Sequence, residues 1–241
     1  MLRKGIRRHI SGFNLYVPTR YYKFFKSDYE QDNINFIKDT VKSGMTVIDV
    51  GAHIGLLSVI MAQKAGDNGR VYSFEPTPST YQILKNTIKI NKMGNLIVPI
   101  QKAVSEKEGL THFYVTDIEA HNSNSLSNNN RDYGNEHQIE VKLTSIDEFK
   151  GEHRLAEINL IKIDAEGAEL SVLRGATFVI DLFKPKIILA LHPESLSNFG
   201  HSLTEIWDFI QLKNYMVSYK SNPISKEFFI KQTDLFDVFL T

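Results

Sequence analysis

The sequence predicts an α/β protein: a doubly wound sheet of seven strands with helices on both faces, a cap over residues 1–43, and a core over 44–241 interrupted by an insertion at 110–143. Three observations predict it. From residue 44 onward, short β-branched apolar runs alternate with segments of helical period, the rhythm of a parallel sheet covered on both sides. The first of these runs ends in an acid and turns through two glycines into a helix, VIDVGAHIGLLS. With 241 residues at 42% hydrophobic composition, the chain is long enough for one such core and too short for two full ones.

Each element has a local reason. Met1 to Ser27 are aromatic and basic and read as a cap packed on the core. Ser27-Asp28-Tyr29-Glu30 has the form of a capping box, after which Ile34, Ile37 and Val41 recur at helical spacing until Ser43-Gly44. Val47 to Val50 is strand one, followed by a helix from Gly55 to Ala65. Val71 to Phe74 is strand two, followed by a helix from Pro78 to Asn91 whose proline suits the first turn. Leu96 to Val104 is strand three. The rhythm breaks at Leu110, where LTHFYV and IEVKL alternate like an antiparallel pair. Between them Thr116 to His137 is polar and rich in asparagine and serine. Carrying His121, Arg131, Tyr133 and His137, it reads as an acceptor-facing lid. Ile158 to Ile163 is strand four, Gly167 to Gly175 a helix, and Lys186 to Leu191 strand five. A helix from Ser202 to Leu212 opens on a second capping box, and Tyr215 to Tyr219 with Asp237 to Leu240 complete seven strands.

Composition narrows the function classes. Lys+Arg and Asp+Glu each number 28, so no net field points to nucleic acid. The basic group Arg3, Lys4, Arg7 and Arg8 reads as a solvated terminus. No segment approaches the ~20 apolar residues that span a bilayer, and no apolar stretch follows the basic start, so a cytoplasmic location is expected. The absence of cysteine removes thiolate nucleophiles and thiolate metal sites.

The glycine turn points to a nucleotide. Asp49 closes the strand, Gly51 supplies a conformation that residues with a Cβ resist, and Gly55 lets the helix start close to a ligand. The Gly51-xxx-Gly55 spacing lacks the third glycine of a dinucleotide pyrophosphate loop. Roughly twenty residues on, VYSFEP ends strand two in Glu75, placed to accept hydrogen bonds from both ribose hydroxyls, with Pro76 beside it. A ribose acid without a diphosphate grip suits S-adenosylmethionine better than NAD.

These residues, together with the asparagines of LKNTIKIN, with KAVS and with IKIDAEGAELSVLRGA, resemble the FkbM family of S-adenosylmethionine-dependent methyltransferases. The resemblance runs from about Val47 to Pro193. It implies a class I, Rossmann-like methyltransferase fold and O-methylation of a sugar, glycan or related metabolite hydroxyl. Such a hydroxyl needs a base within reach, or a metal that lowers its pKa.

Ligands of doubly wound sheets lie beyond the carboxyl ends of the strands, which selects Asp49, Glu75, Asp164 and His192. Asp49 reads either as a contact to the methionine moiety or as a loop-organising acid, and His53 either as a ligand contact or as a turn residue. Asp164 and Glu166 fall on the family motif beside the expected acceptor site. Their structural readings are a helix N-cap for Asp164 and a first-turn charge for Glu166. Glu169 shares the helical face of Glu166 or pairs with Arg174. His192 follows the apolar strand KIILAL and can exchange a proton near neutral pH. Asp164, Glu166 and His192 could also ligate a divalent metal such as Mg²⁺, which stays unassigned. Two alternatives stand beside O-methylation. One is a non-catalytic cofactor-binding module. The other is methylation of nitrogen, against which the Asp164-Ala165-Glu166 segment speaks, because it lacks the Asn/Asp-Pro-Pro-aromatic loop that would grip an amine.

Overall fold

The computed structural model describes residues 5–116 and 136–241. In chain order the elements begin with the hairpin β1 (Gly5–Ile10) and β2 (Phe13–Pro18), a short 3-10 turn, and α1 (Gln31–Thr40). Then follow β3 (Thr46–Val50), α2 (Leu56–Ala65), β4 (Arg70–Phe74), α3 (Pro78–Ile90), β5 (Ile97–Ile100) and β6 (Ala103–Val104). The insertion contributes β7 (Gly109–Thr116) and β8 (Glu136–Thr144), after which come α4 (Ile146–Glu152), β9 (Leu160–Asp164), α5 (Glu169–Arg174) and α6 (Thr177–Phe183). The chain ends with β10 (Lys186–Leu191), α7 (Pro193–Leu196), α8 (Leu203–Leu212), β11 (Val217–Tyr219), β12 (Asn222–Pro223), α9 (Lys226–Ile230) and β13 (Phe236–Leu240).

The main sheet has the order β12-β11-β13-β10-β9-β3-β4-β5. Five consecutive strands, β10 through the edge strand β5, are parallel, and β13 enters antiparallel beside β10. The two-residue β12 makes an eighth strand at the edge. Successive strand residues face opposite layers, as the pleat requires. Ile48, Ile161, Ile187 and Val238 pack with α4, α5, α6 and α8, whereas Val47, Leu160, Ile188 and Phe239 pack with α1, α2 and α3. The N-terminal hairpin joins this second cluster through Ile10, Leu15 and Val17. Lying between hairpin and sheet, α2 is buried on nearly every side.

Several boundaries differ from the sequence expectations, each for a local reason. The Ser27 capping box does not form: α1 starts at Gln31, and Glu30 occupies the cap position in the left-handed region at φ +43. A full capping box forms instead at Ser145 and Glu148, where side chain and backbone bond reciprocally. At Ser202 the side chain caps the Glu205 N–H at 3.3 Å. Strand three is split at Gln101-Lys102, so that β5 stays in the main sheet while β6 pairs with β8 in a separate three-stranded sheet. The helix expected from Gly167 is shorter, because Gly167 holds φ +108 and helical bonding starts only at Glu169. Of the expected lid, residues 117–135 lie outside the described residues, and His137 belongs to β8, opposite Val115.

Removing the Ser145 cap should lower stability by about 1 kcal/mol. Urea unfolding of Ser145→Ala is expected to show a lower midpoint with an unchanged slope, and an unchanged midpoint would show that the box contributes nothing.

Candidate active site

Strand order reverses at β3, whose neighbours β4 and β9 lead the sheet in opposite directions. A crevice opens at such a switch point. Here it is a cavity of about 380 Å³, lined by the ends of β3, β4 and β9, by the loop after β3, and by residues from β6, α1 and β13. That size suits a small-molecule ligand.

The loop after β3 is pinned by backbone bonds from Gly51 and Ala52 N–H to the Phe74 carbonyl, at 3.1 and 2.9 Å. Gly51 holds φ +71, and a Cβ there would stand 1.9 Å from the Asp164 carbonyl oxygen. The glycine is thus required by the close approach of the β9 end as well as by its own dihedral. Gly55 also carries a backbone reason of its own. It caps α2 at φ +86, a conformation that side chains rarely adopt, a Cβ there would also crowd Leu84 Cδ1 of α3, and it lines the cavity.

Glu75 is 6% exposed and lines the cavity with Pro76. Its carboxylate accepts from the backbone N–H of His53 at 3.1 Å and of Thr77 at 2.9 Å. The Thr77 side chain also hydrogen-bonds this carboxylate, and since an ionised carboxylate offers about four lone-pair sites, acceptor capacity remains for about one further hydroxyl donor. Burial pushes Glu75 up to about 7, against the pull of its hydrogen bonds to Thr77 and His53. His53, in the left-handed region at φ +50, also lines the cavity, and burial lowers its ring to about 4, which keeps it neutral at physiological pH.

Asp49 lies behind the wall. It is 1% exposed and is not among the lining residues; its Oδ2 accepts from Ser58 Oγ at 2.5 Å, and Ser58 in turn accepts from Ser73. Asp49 therefore does not face the cavity as a methionine contact would, and its partners are the Ser58 hydroxyl and the Lys162 ammonium. Its link to the cavity is Lys162, which the sequence reading passed over. The Lys162 ammonium stands 3.8 Å from Asp49 Oδ1, donates to Asp164 Oδ2 at 3.1 Å, and donates to the Gly51 carbonyl at 3.1 Å. These charges raise the lysine above its ordinary range in spite of burial, and the lysine holds Asp164 below the usual carboxylate range.

Asp164 ends β9 and caps no helix, because α5 begins five residues later. With Glu166, at φ +51, and His192 it lines the cavity. His192 Nδ1 lies 2.8 Å from Oε1 of Glu169, which is fully buried and also accepts from the Gly167 N–H. Nε2 is 3.7 Å from Asp164 Oδ1 and 3.6 Å from Glu166 Oε2. Surrounded by three carboxylates, the imidazole is raised to about 9 even though burial opposes the charge. Glu169 is therefore the anchor of His192, and Arg174 pairs instead with Glu106 and Glu205. One ligand atom each from Asp164, Glu166 and His192 lies within 4.8 Å of the others, a spacing a divalent cation could span.

The segment before and within α1 adds a wall that sequence reasoning also missed: Phe25, Tyr29, Glu30 and Asn33 line the cavity together with Asp237 of β13. A conspicuous signal existed for Lys162, a lone lysine inside the apolar strand LIKID, since lysine is rarely buried unless paired.

Comparison with known proteins places the family. The pattern of the FkbM methyltransferase domain matches residues 49–217, from Asp49 through the whole acidic cluster. The chain belongs to the FkbM family of S-adenosylmethionine-dependent methyltransferases. Hexuronic acid methyltransferase AglP of Haloferax volcanii is 29% identical over 148 residues, covering 61% of this chain and 56% of that protein. Methyltransferase sdnD of Sordaria araneosa is 26% identical over 154 residues, covering 54% and 59%. This chain thus spans less than two thirds of the length of either relative. Among solved structures, an FkbM methyltransferase from Methylobacillus flagellatus superposes with a TM-score of 0.53 at 15% identity, over 86% of this chain and 50% of that one. SMU.1697c of Streptococcus mutans, solved in complex with SAH, gives 0.51 at 9% identity, over 90% and 98%. Both show the shared fold. No helix among the described residues is long and apolar enough to cross a membrane.

The raised Glu75 gives the family's donor site a pH signature. If Glu75 accepts from ribose hydroxyls, as the sequence reading expects, binding favours its charged form, and affinity for S-adenosylhomocysteine should fall as pH drops below about 7. Calorimetry is expected to find proton release on binding below that pH, and Glu75→Gln should bind weakly with little pH dependence. A parent whose affinity is flat across this range would contradict the assignment.

Proposed function

We propose that this chain moves a methyl group from S-adenosylmethionine to a hydroxyl of a sugar, glycan or related metabolite, with His192 as proton acceptor. The observation that carries this reading is the imidazole held at Nδ1 by Glu169, with Nε2 between two cavity-lining carboxylates. The name of the AglP relative, a hexuronic acid methyltransferase, supports a sugar acceptor.

The donor supplies a methyl group on a positively charged sulfur. Glu75 would hold its ribose, with Pro76, His53 and the Gly51 turn around it. Phe25, Val50 and Leu235 give the cavity apolar surface that helps to exclude water. An aliphatic hydroxyl attacks well only if its proton leaves as the new bond forms. In the neutral tautomer Nδ1–H donates to Glu169, which leaves the Nε2 lone pair to take that proton. Asp164 and Glu166 then stabilise the imidazolium, and they can also accept hydrogen bonds that orient the acceptor. Lys162 keeps Asp164 ionised for this task.

The spacing of Asp164, Glu166 and His192 favours one second reading, a divalent metal that activates the hydroxyl directly. Methyl transfer onto a hexose and hexuronate panel separates the two. With His192 as base, kcat/KM should rise with pH up to about 9, because the resting imidazole holds a proton below that value. His192→Ala should lose about 10²-fold in turnover while retaining donor affinity. Glu169→Gln should move the rise to lower pH, since a charge that raises the imidazole is gone. Exhaustive chelation should leave the rate unchanged. Loss of activity on chelation, restored by Mn²⁺, would assign the triad to a metal. Firm donor binding with no turnover on any acceptor would favour the non-catalytic module.

A further inference from the structure

One wall of the cavity carries an acidic pair that the chemistry above does not use. Asn33, 3% exposed, donates from Nδ2 to Glu30 Oε2 at 3.1 Å and to Asp237 Oδ2 at 3.0 Å. These two bonds fix the amide orientation, because the flipped amide would turn its carbonyl toward two carboxylates. Asn33 Oδ1 is left buried with no hydrogen-bond partner. All three residues line the cavity. Glu30 also carries a positive φ that side chains with a Cβ resist, a strain that concentrates at functional sites.

Among the described residues the wall has no cation of its own, and Tyr29 hydrogen-bonds Glu30. Lys162 acts on both acids, yet its ammonium is already engaged by Gly51 and Asp164. Burial and the charge of Glu30 push Asp237 up to about 6, and burial pushes Glu30 above the ordinary range. A buried acceptor with no donor is costly to leave unmade, and two neighbouring carboxylates call for positive charge. A primary ammonium brings both, a charge and three N–H donors. A metal ion suits the place less well, because the Asn33 amide group already bridges the two carboxylates.

We propose that Glu30, Asn33 and Asp237 form a subsite for a primary ammonium group. Two molecules could bring it: the amino-acid end of the methyl donor, an assignment that rests on the donor reading above, or an amino-sugar acceptor. In either case the N-terminal segment is a specificity wall of the cavity and more than packing for the sheet.

Calorimetry with the whole chain tests this without turnover. S-adenosylhomocysteine is compared with the analogue in which hydrogen replaces the α-ammonium. The parent is expected to prefer the amine about tenfold or more, as for a charge-assisted bond. The preference should collapse in Glu30→Gln and Asp237→Asn, with thermal unfolding confirming that each variant is folded. If the parent does not distinguish the two, glucosamine and glucose are compared on the S-adenosylhomocysteine-loaded protein. A preference for glucosamine that Glu30→Gln removes assigns the subsite to the acceptor. Equal affinities within both pairs overturn the proposal, and this comparison needs only the parent protein. Failure of S-adenosylhomocysteine to bind at all would overturn the donor reading, and the sugar pair, run on the unliganded protein, would then decide the subsite.

Discussion

A single buried ammonium ties the functional end of this sheet together. Lys162 lies on the middle of three adjacent parallel strand ends and is 4% exposed, surrounded by Asp49, Asp164 and the Gly51 carbonyl. Moving a lysine out of water is expensive unless opposite charges and hydrogen bonds replace its hydration. The register supplies them: Asp49 stands opposite Lys162 across β3 and β9, and Asp164 follows two residues along the same face. The Gly51 turn then closes over the lysine, and only a glycine lets the Asp164 backbone come so near.

From that centre the polar layer spreads across one face of the sheet. Asp49, Ser73, Lys162 and Asp237 all alternate with residues packed on the opposite layer, so they point toward α1 and α2. Helix α2 meets them with Ser58, and the segment entering α1 meets them with Glu30 and Asn33. Glu75 marks one part of the resulting cavity and His192 another, so that the proposed donor contact and the proposed proton acceptor draw on different strands. The acids differ in state according to their partners. Asp164 is held charged by Lys162, whereas burial raises Glu75. Catalytic sites commonly rest on groups whose environments push them apart in this way.

What could be read from the sequence was what is local along the chain. The glycine turn, the acid Glu75 and the acid-rich segment after LIKID each sit at a strand end marked by a change from apolar to small or charged residues. Residues that act through tertiary pairing were not legible. Glu169 is three residues from Glu166, but its partner His192 lies just past the end of β10, and the parallel pairing of β9 and β10 brings them to 2.8 Å. Asn33 and Asp237 are 204 positions apart. The Ser27 box failed because its pattern is satisfied by composition alone, while Glu30, the residue that should have completed it, points its carboxylate to Asn33. The strand-three expectation joined two apolar runs, LIVPI and AV, into one element, where Gln101 and Lys102 carry the chain from one sheet to another.

Equilibrium unfolding of Lys162→Met, followed against pH, tests the central claim most directly. With the ammonium removed, two acids in the sheet lose their counter-charge, and stability should fall by about 3–5 kcal/mol near neutral pH, as for a buried pair deprived of one member. The deficit should shrink on acidification, since protonating Asp49 and Asp164 removes the unpaired charge that causes it. A methionine variant as stable as the parent at neutral pH, with undiminished affinity for S-adenosylhomocysteine, would contradict the view that this lysine organises the site.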